Sequence, residues 1–313
     1  MMTRFLVTGG AGFIGSNIVR RLVSEGRNVT VLDNFSTGHR TNLSGIEDDI
    51  RLVNGDLRDL AAVQTAVQGA DYVLHQAALP SVQRSVDDPV ESNANNVDGT
   101  LNLLVAARDA KVKALVYAAS SSAYGDTPTL PKREEMPPNP LSPYAITKLV
   151  GEHYCTAFAK LYGLNTVSLR YFNVFGPRQD PASQYAAVIP LFATALLQGG
   201  VPTVFGDGHQ SRDFTFVDNV VDANLAACLA AEQVAGQVFN VACGERYSLN
   251  QLLDLLREII GNDTQARYED PRPGDVKHSL ADITKAREQL GFEPQISFRQ
   301  GLEVTVEWFR ELI

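Results

Sequence analysis

The sequence predicts an α/β fold: a doubly wound parallel sheet followed by a smaller α/β C-terminal substrate lobe. Three observations carry that expectation. The glycine-rich turn Thr8-Gly9-Gly10-Ala11-Gly12-Phe13-Ile14-Gly15 separates a short apolar run from a stretch with helical spacing. Strand-like runs then alternate with helix-length segments through the first half, the rhythm of a parallel sheet wrapped by helices. After about Asn173 that rhythm breaks. Gly176-Pro177, Asp207-Gly208-His209 and Asp270-Pro271-Arg272-Pro273-Gly274 then punctuate shorter elements.

In chain order, Phe5–Thr8 reads as a buried strand and Gly12–Glu25 as the helix after it. Asn28–Asp33, Ile50–Asn54, Tyr72–His75 and Ala114–Ala119 follow as strands, at intervals that leave room for helices. Ala94–Ala110 has helical spacing, with Leu101, Leu104, Val105 and Arg108 sharing sides. The proline-rich run Glu134–Pro143 is a loop before a helix that carries Tyr144, and Asn165–Tyr171 is a sixth strand. Leu249–Ile260 and Ile283–Leu290 read as short amphipathic helices. The expected division is 1–173 for the sheet domain, joined by an interleaved segment near 213–242, and 174–313 for the smaller lobe.

With 313 residues, 44% of them hydrophobic, the chain can bury a sizeable core. A net charge of −9 argues against a nucleic-acid surface. Cys155, Cys228 and Cys243 are scattered and form no CxxC, so neither a disulfide frame nor a metal site is expected. The first strand begins almost at once and no apolar run reaches membrane length. The expectation is a soluble, cytoplasmic protein.

Gly9, Gly12 and Gly15 between a strand and a helix permit a tight turn, close approach to a pyrophosphate and close helix–strand packing. Glycine spacing alone also fits a plain packing turn. Asp33 tips the balance. It ends the second strand, 18 residues beyond Gly15, where a carboxylate accepts both adenosine ribose hydroxyls and repels an added phosphate, so NAD is favoured over NADP. His39 and Arg40, farther on, read as ordinary loop charges. Asp56 and Leu57, at the third strand's end, suit an adenine, although Asp56 also fits a helix cap before Leu60. Gln76, Ala77 and Ala78 end the fourth strand with small side chains against which a flat ligand can lie. His75 beside them reads as structural.

Tyr144 and Lys148 are spaced i, i+4, so on a helix they share a face. A tyrosine acting as a base near pH 7 needs its pKa lowered by about 3 units, about 4 kcal/mol. A positive charge ~5.5 Å away at an effective dielectric of ~20 supplies about 3 kcal/mol. A YxxxK spacing by itself is commonly a packed tyrosine beside a surface lysine. Here it follows the Ser120-Ser121-Ser122 strand end in a chain with a dinucleotide turn, and a hydroxyl there can bond the substrate oxygen.

With these residues assembled, the chain closely resembles the extended short-chain dehydrogenase/reductases, a Rossmann-type family, and within it the nucleotide-sugar 4-epimerases. The resemblance runs nearly end to end. It rests on Thr8–Gly15, Ser120–Asp126, Ser142–Lys148, Leu169–Arg178, Gly206-Asp207-Gly208 with Arg212-Asp213-Phe214, Asn240-Val241 and Arg272-Pro273-Gly274-Asp275. It implies Ser120, Tyr144 and Lys148 as the catalytic set. It adds Phe13, Ile14, Asn34, Ser36, Gly38, Asn95 and Tyr171 to the NAD contacts. For a UDP-sugar substrate it implies Ser121, Ser122, Asn173 and Val188, with Thr203, Val204 and Phe205 lining the uracil. Arg212 and Arg272 would clamp the diphosphate, Asp275 would hold the uridine ribose, and a small Ser279 would leave room at the sugar's C2 group. The helices Asn93–Ala110 and Ser142–Tyr162 would pair into a four-helix bundle in a homodimer.

The relatives on the same scaffold set the alternatives. Dehydratases and decarboxylases carry an extra acid near the catalytic hydroxyl, where this chain has Ser121 and Ser122. UDP-glucuronate 4-epimerases resemble it more closely, but place an arginine where Asp180 stands. A non-catalytic NAD-binding sensor is the remaining reading, and the intact Ser120, Tyr144 and Lys148 weigh against it.

Overall fold

The computed structural model describes residues 3–183, 187–271 and 277–313. Its main sheet has seven strands, all parallel. They are β1 (Arg4–Thr8), β2 (Asn28–Asp33), β3 (Ile50–Asn54), β4 (Tyr72–His75), β5 (Ala114–Ser120), β6 (Thr166–Tyr171) and the late strand Gln237–Val241. The spatial order runs β3, β2, β1, β4, β5, β6, then Gln237–Val241. The doubly wound expectation holds: the order reverses between β1 and β4, and a crevice opens there beyond the carboxyl ends of the strands.

Apolar residues cover both faces of the sheet. One face packs Ile18, Val19 and Leu22 of helix α1 (Phe13–Ser24) and Val220, Val221 and Ala227 of the helix Val217–Ala230 against strand residues such as Val7, Val116 and Leu169. The other packs Leu103 and Leu104 of the helix Gly99–Asp109 and Phe158 of the helix Pro143–Tyr162 against Leu6, Val73 and Leu115. A separate core of Ile189, Phe192, Phe214, Leu253, Phe298 and Phe309, among others, builds the smaller lobe.

The helix that carries Tyr144 starts and stops on sequence signals. Ser142 accepts the Ala145 N–H at 3.2 Å, Pro143 occupies the first turn, and Gly163 ends it with φ +68°. The expected Ala94–Ala110 helix is instead a π-turn over Ala94–Asp98 running into Gly99–Asp109. Helical periodicity does not distinguish the two, because both place apolar residues toward the sheet. The cap before Leu60 is Asp59, whose carboxylate accepts from the Ala61 and Ala62 N–H groups; Asp56 has other partners.

Candidate active site

Every residue expected to hold the cofactor lines one cavity of about 560 Å³ at the carboxyl end of the sheet. The glycines are there because no side chain fits. A Cβ on Gly15 would stand 2.0 Å from the Gly9 carbonyl oxygen, and one on Gly9, at φ +67°, would meet the Ala77 backbone at 2.7 Å. Asp33 is buried beside them and accepts the N–H groups of Ala11 and Phe35 at 2.9 and 2.8 Å. Those bonds fix its direction and leave acceptor capacity on both oxygens for ribose hydroxyls. A close backbone turn, the start of α1 and an oriented carboxylate together fit an adenine dinucleotide.

Other expected residues are engaged within the protein. Arg58 grips Asp56 at 2.9 and 2.7 Å and holds its carboxyl well below the usual range, and Asn34 adds a 2.9 Å bond. His75 lies wholly buried between the Thr8 and Thr100 hydroxyls, and burial lowers it to about 3, so it is structural as expected. The Tyr171 hydroxyl donates to Gln76 Oε1 at 3.2 Å and lies 2.8 Å from Asn224 Nδ2.

Ser120, Tyr144 and Lys148 converge where β5 meets the helix Pro143–Tyr162. The Ser120 hydroxyl stands near the Tyr144 phenol. Burial pushes the Tyr144 phenol up, and the Ser120 hydroxyl opposes that rise. Sequence reading assigned the opposing role to Lys148. In the structure the Lys148 ammonium donates to the Ala118 carbonyl at 2.8 Å, and its own pKa falls to about 8 through burial.

A second cavity of about 300 Å³ opens in the smaller lobe and shares Ala187 with the first. Asn173, Val188, Thr203, Phe205 and Arg212, named above as substrate contacts, line it. Val204 does not. It is fully buried in the small-lobe core, because successive residues of the strand Thr203–Phe205 face opposite ways. Ser120, Ser121, Ser122 and Ser279 line neither cavity. Ser122 instead bonds Ser120, and the Ser279 N–H donates to the Ser211 carbonyl, which sets Ser279 beside the strand of Arg212. Arg272 and Asp275 lie outside the described residues.

The sequence reading missed part of the cofactor cavity. His39, Ser81, Arg84, Arg178 and Asp180 also line it. His39 approaches Asp180 at 3.4 Å across the mouth, and Arg178 donates to Asn17 at 2.7 Å. No local pattern announces such pairs, since their partners stand far off in the chain. Among the described residues no cluster of His, Cys, Asp or Glu could hold a metal ion, and no helix is long and apolar enough to cross a membrane.

Comparison with known proteins agrees with this geometry. The NAD dependent epimerase/dehydratase family model matches residues 5–242. A UDP-glucose 4-epimerase from Mycolicibacterium smegmatis is 42% identical, with 98% of each chain covered. A UDP-N-acetylglucosamine 4-epimerase from Methanobrevibacter ruminantium, solved with UDP-N-acetylmuramic acid, superposes with a TM-score of 0.95 at 41% identity over 100% of both chains. A UDP-glucuronic acid 4-epimerase from Bacillus cereus, solved with UDP-glucuronic acid and NAD, gives 0.91 at 32% identity, over 99% of this chain and 100% of its own. The fold and the dinucleotide cavity thus agree with these relatives, and the chain belongs to the NAD dependent epimerase/dehydratase family.

Proposed function

We propose that this protein inverts the C4 hydroxyl of a UDP-sugar, interconverting UDP-GlcNAc with UDP-GalNAc and UDP-Glc with UDP-Gal, with NAD as a resident cofactor. One observation carries the reading. Tyr144 and Lys148, next to Ser120, line the same cavity as the dinucleotide-binding residues, and a second cavity shares Ala187 with it. Gly9, Gly12, Gly15 and Asp33 would hold NAD, which supplies the hydride acceptor and donor at C4 when bound.

This chain's own residues orient the sugar and move the proton. Arg212 offers a planar cation suited to the substrate diphosphate, with Thr203 and Phe205 beside the base. Ser120 bonds O4 and Tyr144 takes its proton. The 4-keto sugar turns over while still bound, and Tyr144 returns the proton to O4 once the other face is presented. Net redox change is zero, so no cofactor need leave between turnovers. The small Ser279, next to the strand of Arg212, supports acceptance of an N-acetyl group.

UDP-glucuronate stays as a second reading. Asp180, set against a sugar carboxylate on sequence grounds, lines the cofactor cavity beside His39 rather than the second cavity. Incubation with UDP-Glc, UDP-GlcNAc and UDP-GlcA without added NAD, with C4 configuration read by NMR, separates these readings. Absence of turnover on all three would favour a non-catalytic NAD-binding protein.

We also propose a cytoplasmic homodimer. Cys155, Cys228 and Cys243 are all unpaired, which suits a reducing compartment. Val90 is 76% exposed and Ile146 50% exposed, which supports a helical face that a second copy would cover. A monomeric mass by light scattering at micromolar concentration would contradict the dimer.

A further inference from the structure

Arg170 and Glu152 form a buried ion pair behind the catalytic helix, and the mechanism above leaves it without a role. Nε and Nη2 of Arg170 donate to the two carboxylate oxygens at 2.9 and 2.7 Å, and the side chains are 5% and 3% exposed. Replacing such a pair with well-packed apolar residues is commonly neutral or stabilising, so stability alone does not account for it.

Its position is more informative. Glu152 follows Lys148 by four residues on the helix Pro143–Tyr162, so carboxylate and ammonium share a face. Among the described residues, the other groups around Lys148 supply no fixed negative charge. Tyr144 lies one turn earlier on the same helix, its phenol pushed up by burial. From β5, the Tyr117 ring lies 5.1 Å from the ammonium, and its phenol is pushed up by burial. From β4, His75 is held neutral, and Cys155, farther along the helix, is pushed up to about 12. Burial lowers Lys148, and Glu152 is the largest influence opposing that fall.

Arg170 sets the carboxylate in place. It comes from β6, one residue before Tyr171, and its guanidinium stacks 4.6 Å over the ring of Tyr124, in the turn that follows Ser120. Without a cation, a carboxyl this deeply buried would take up a proton and lose its charge.

We propose that Glu152, locked by Arg170, is a positioning residue that keeps Lys148 protonated over the working pH range. The inference rests on the role proposed for Lys148, and its test reads Lys148 directly. Holoprotein carrying 13C-labelled lysine is titrated by NMR, with the Lys148 signal assigned from Lys148→Met. Glu152→Gln should lower the Lys148 pKa by about one unit. The alkaline limb of kcat/KM should move to lower pH by the same amount, with KM at pH 6.5 unchanged. A Lys148 signal that titrates as in the wild type overturns the proposal, even if activity falls. If Glu152→Gln does not fold, Glu152→Asp decides. It keeps the charge but draws it back, so a smaller shift in the same direction is expected, and no shift or no folding overturns the proposal. A wild type inactive on every UDP-sugar would refute the proposed function instead, while the NMR titration would still decide the role of Glu152.

Discussion

The Ser122 hydroxyl donates to Ser120 Oγ at 2.8 Å, and the Ser122 N–H points at the same oxygen from 3.2 Å. Ser120 therefore accepts twice, and its single hydrogen is left to donate toward the Tyr144 phenol or, with substrate bound, toward O4. A hydrogen bond donated to a phenolate stabilises the charged form. The two serines thus have unequal parts: Ser120 stands near the tyrosine, and Ser122 sets the direction of Ser120.

Ser120→Ala should lower kcat by roughly 10²–10⁴-fold, the range for a group engaged in proton transfer. It also removes the bond that opposes the upward shift of Tyr144. The acidic limb of kcat should therefore move to higher pH. Ser122→Ala removes only the orienting donor and should cost about tenfold, equivalent to about 1.4 kcal/mol. Steady-state kinetics across pH checks both.

Tyr144→Phe should lose nearly all turnover yet keep its ligands, since the ring still packs and only the proton carrier is gone. NAD content of the purified variant and UDP affinity by calorimetry should match the wild type. Wild-type turnover in the variant would refute the mechanism.

Gly15→Ala should impair NAD binding and stability together. The added carbon would stand 2.0 Å from a backbone oxygen, with no flexible side chain able to yield. Overpacking of this kind costs about 1–3 kcal/mol or more. Bound NAD after purification and the unfolding midpoint in urea should both fall.

Asp213 predicts a pH-dependent stability. It is fully buried and accepts N–H groups from Cys243, Gly244 and Ala281 at 3.0, 3.2 and 3.1 Å. Burial nonetheless raises its carboxyl from 3.8 to about 7. Because the folded pKa exceeds the unfolded one, its stabilising contribution is complete below about 3.8 and is lost as pH rises through about 7. Urea midpoints should therefore fall between pH 5 and pH 8. In Asp213→Asn that slope should flatten, while the midpoint drops at every pH because an amide cannot accept all three N–H groups.

Ser279→Tyr tests substrate breadth. The added ring should selectively remove turnover of UDP-GlcNAc and UDP-GalNAc while leaving UDP-Glc and UDP-Gal, since only the larger C2 substituent meets it. Parallel assays on both pairs measure the ratio. A wild type that epimerises UDP-Glc and leaves UDP-GlcNAc untouched would show that Ser279 does not set the size limit.

The cofactor cavity was legible in the sequence because strand ends carry it. Gly9, Asp33 and Gln76 each close or follow a strand, and a parallel sheet brings those ends to one edge. Side-chain direction was harder to read. Val204 looked like its neighbours Thr203 and Phe205, and only the pleat of the strand turns it into the core. Long-range partnerships were not legible. Nothing local marks Glu152, whose partner Arg170 comes from β6, and Asp180 reaches His39 from 141 residues away.

The strand Gln237–Val241 pairs in parallel with β6, although the chain first passes through the helix Val188–Leu197 of the smaller lobe. During synthesis β6 therefore leaves the ribosome with an open hydrogen-bonding edge, and that edge stays bare until Val241 has emerged. A nascent chain halted near Asn173 presents an unprotected strand of the kind that recruits chaperones or aggregates. Any truncation meant to isolate the dinucleotide-binding half must carry Gln237–Val241 along, grafted if need be, or it will produce an insoluble fragment.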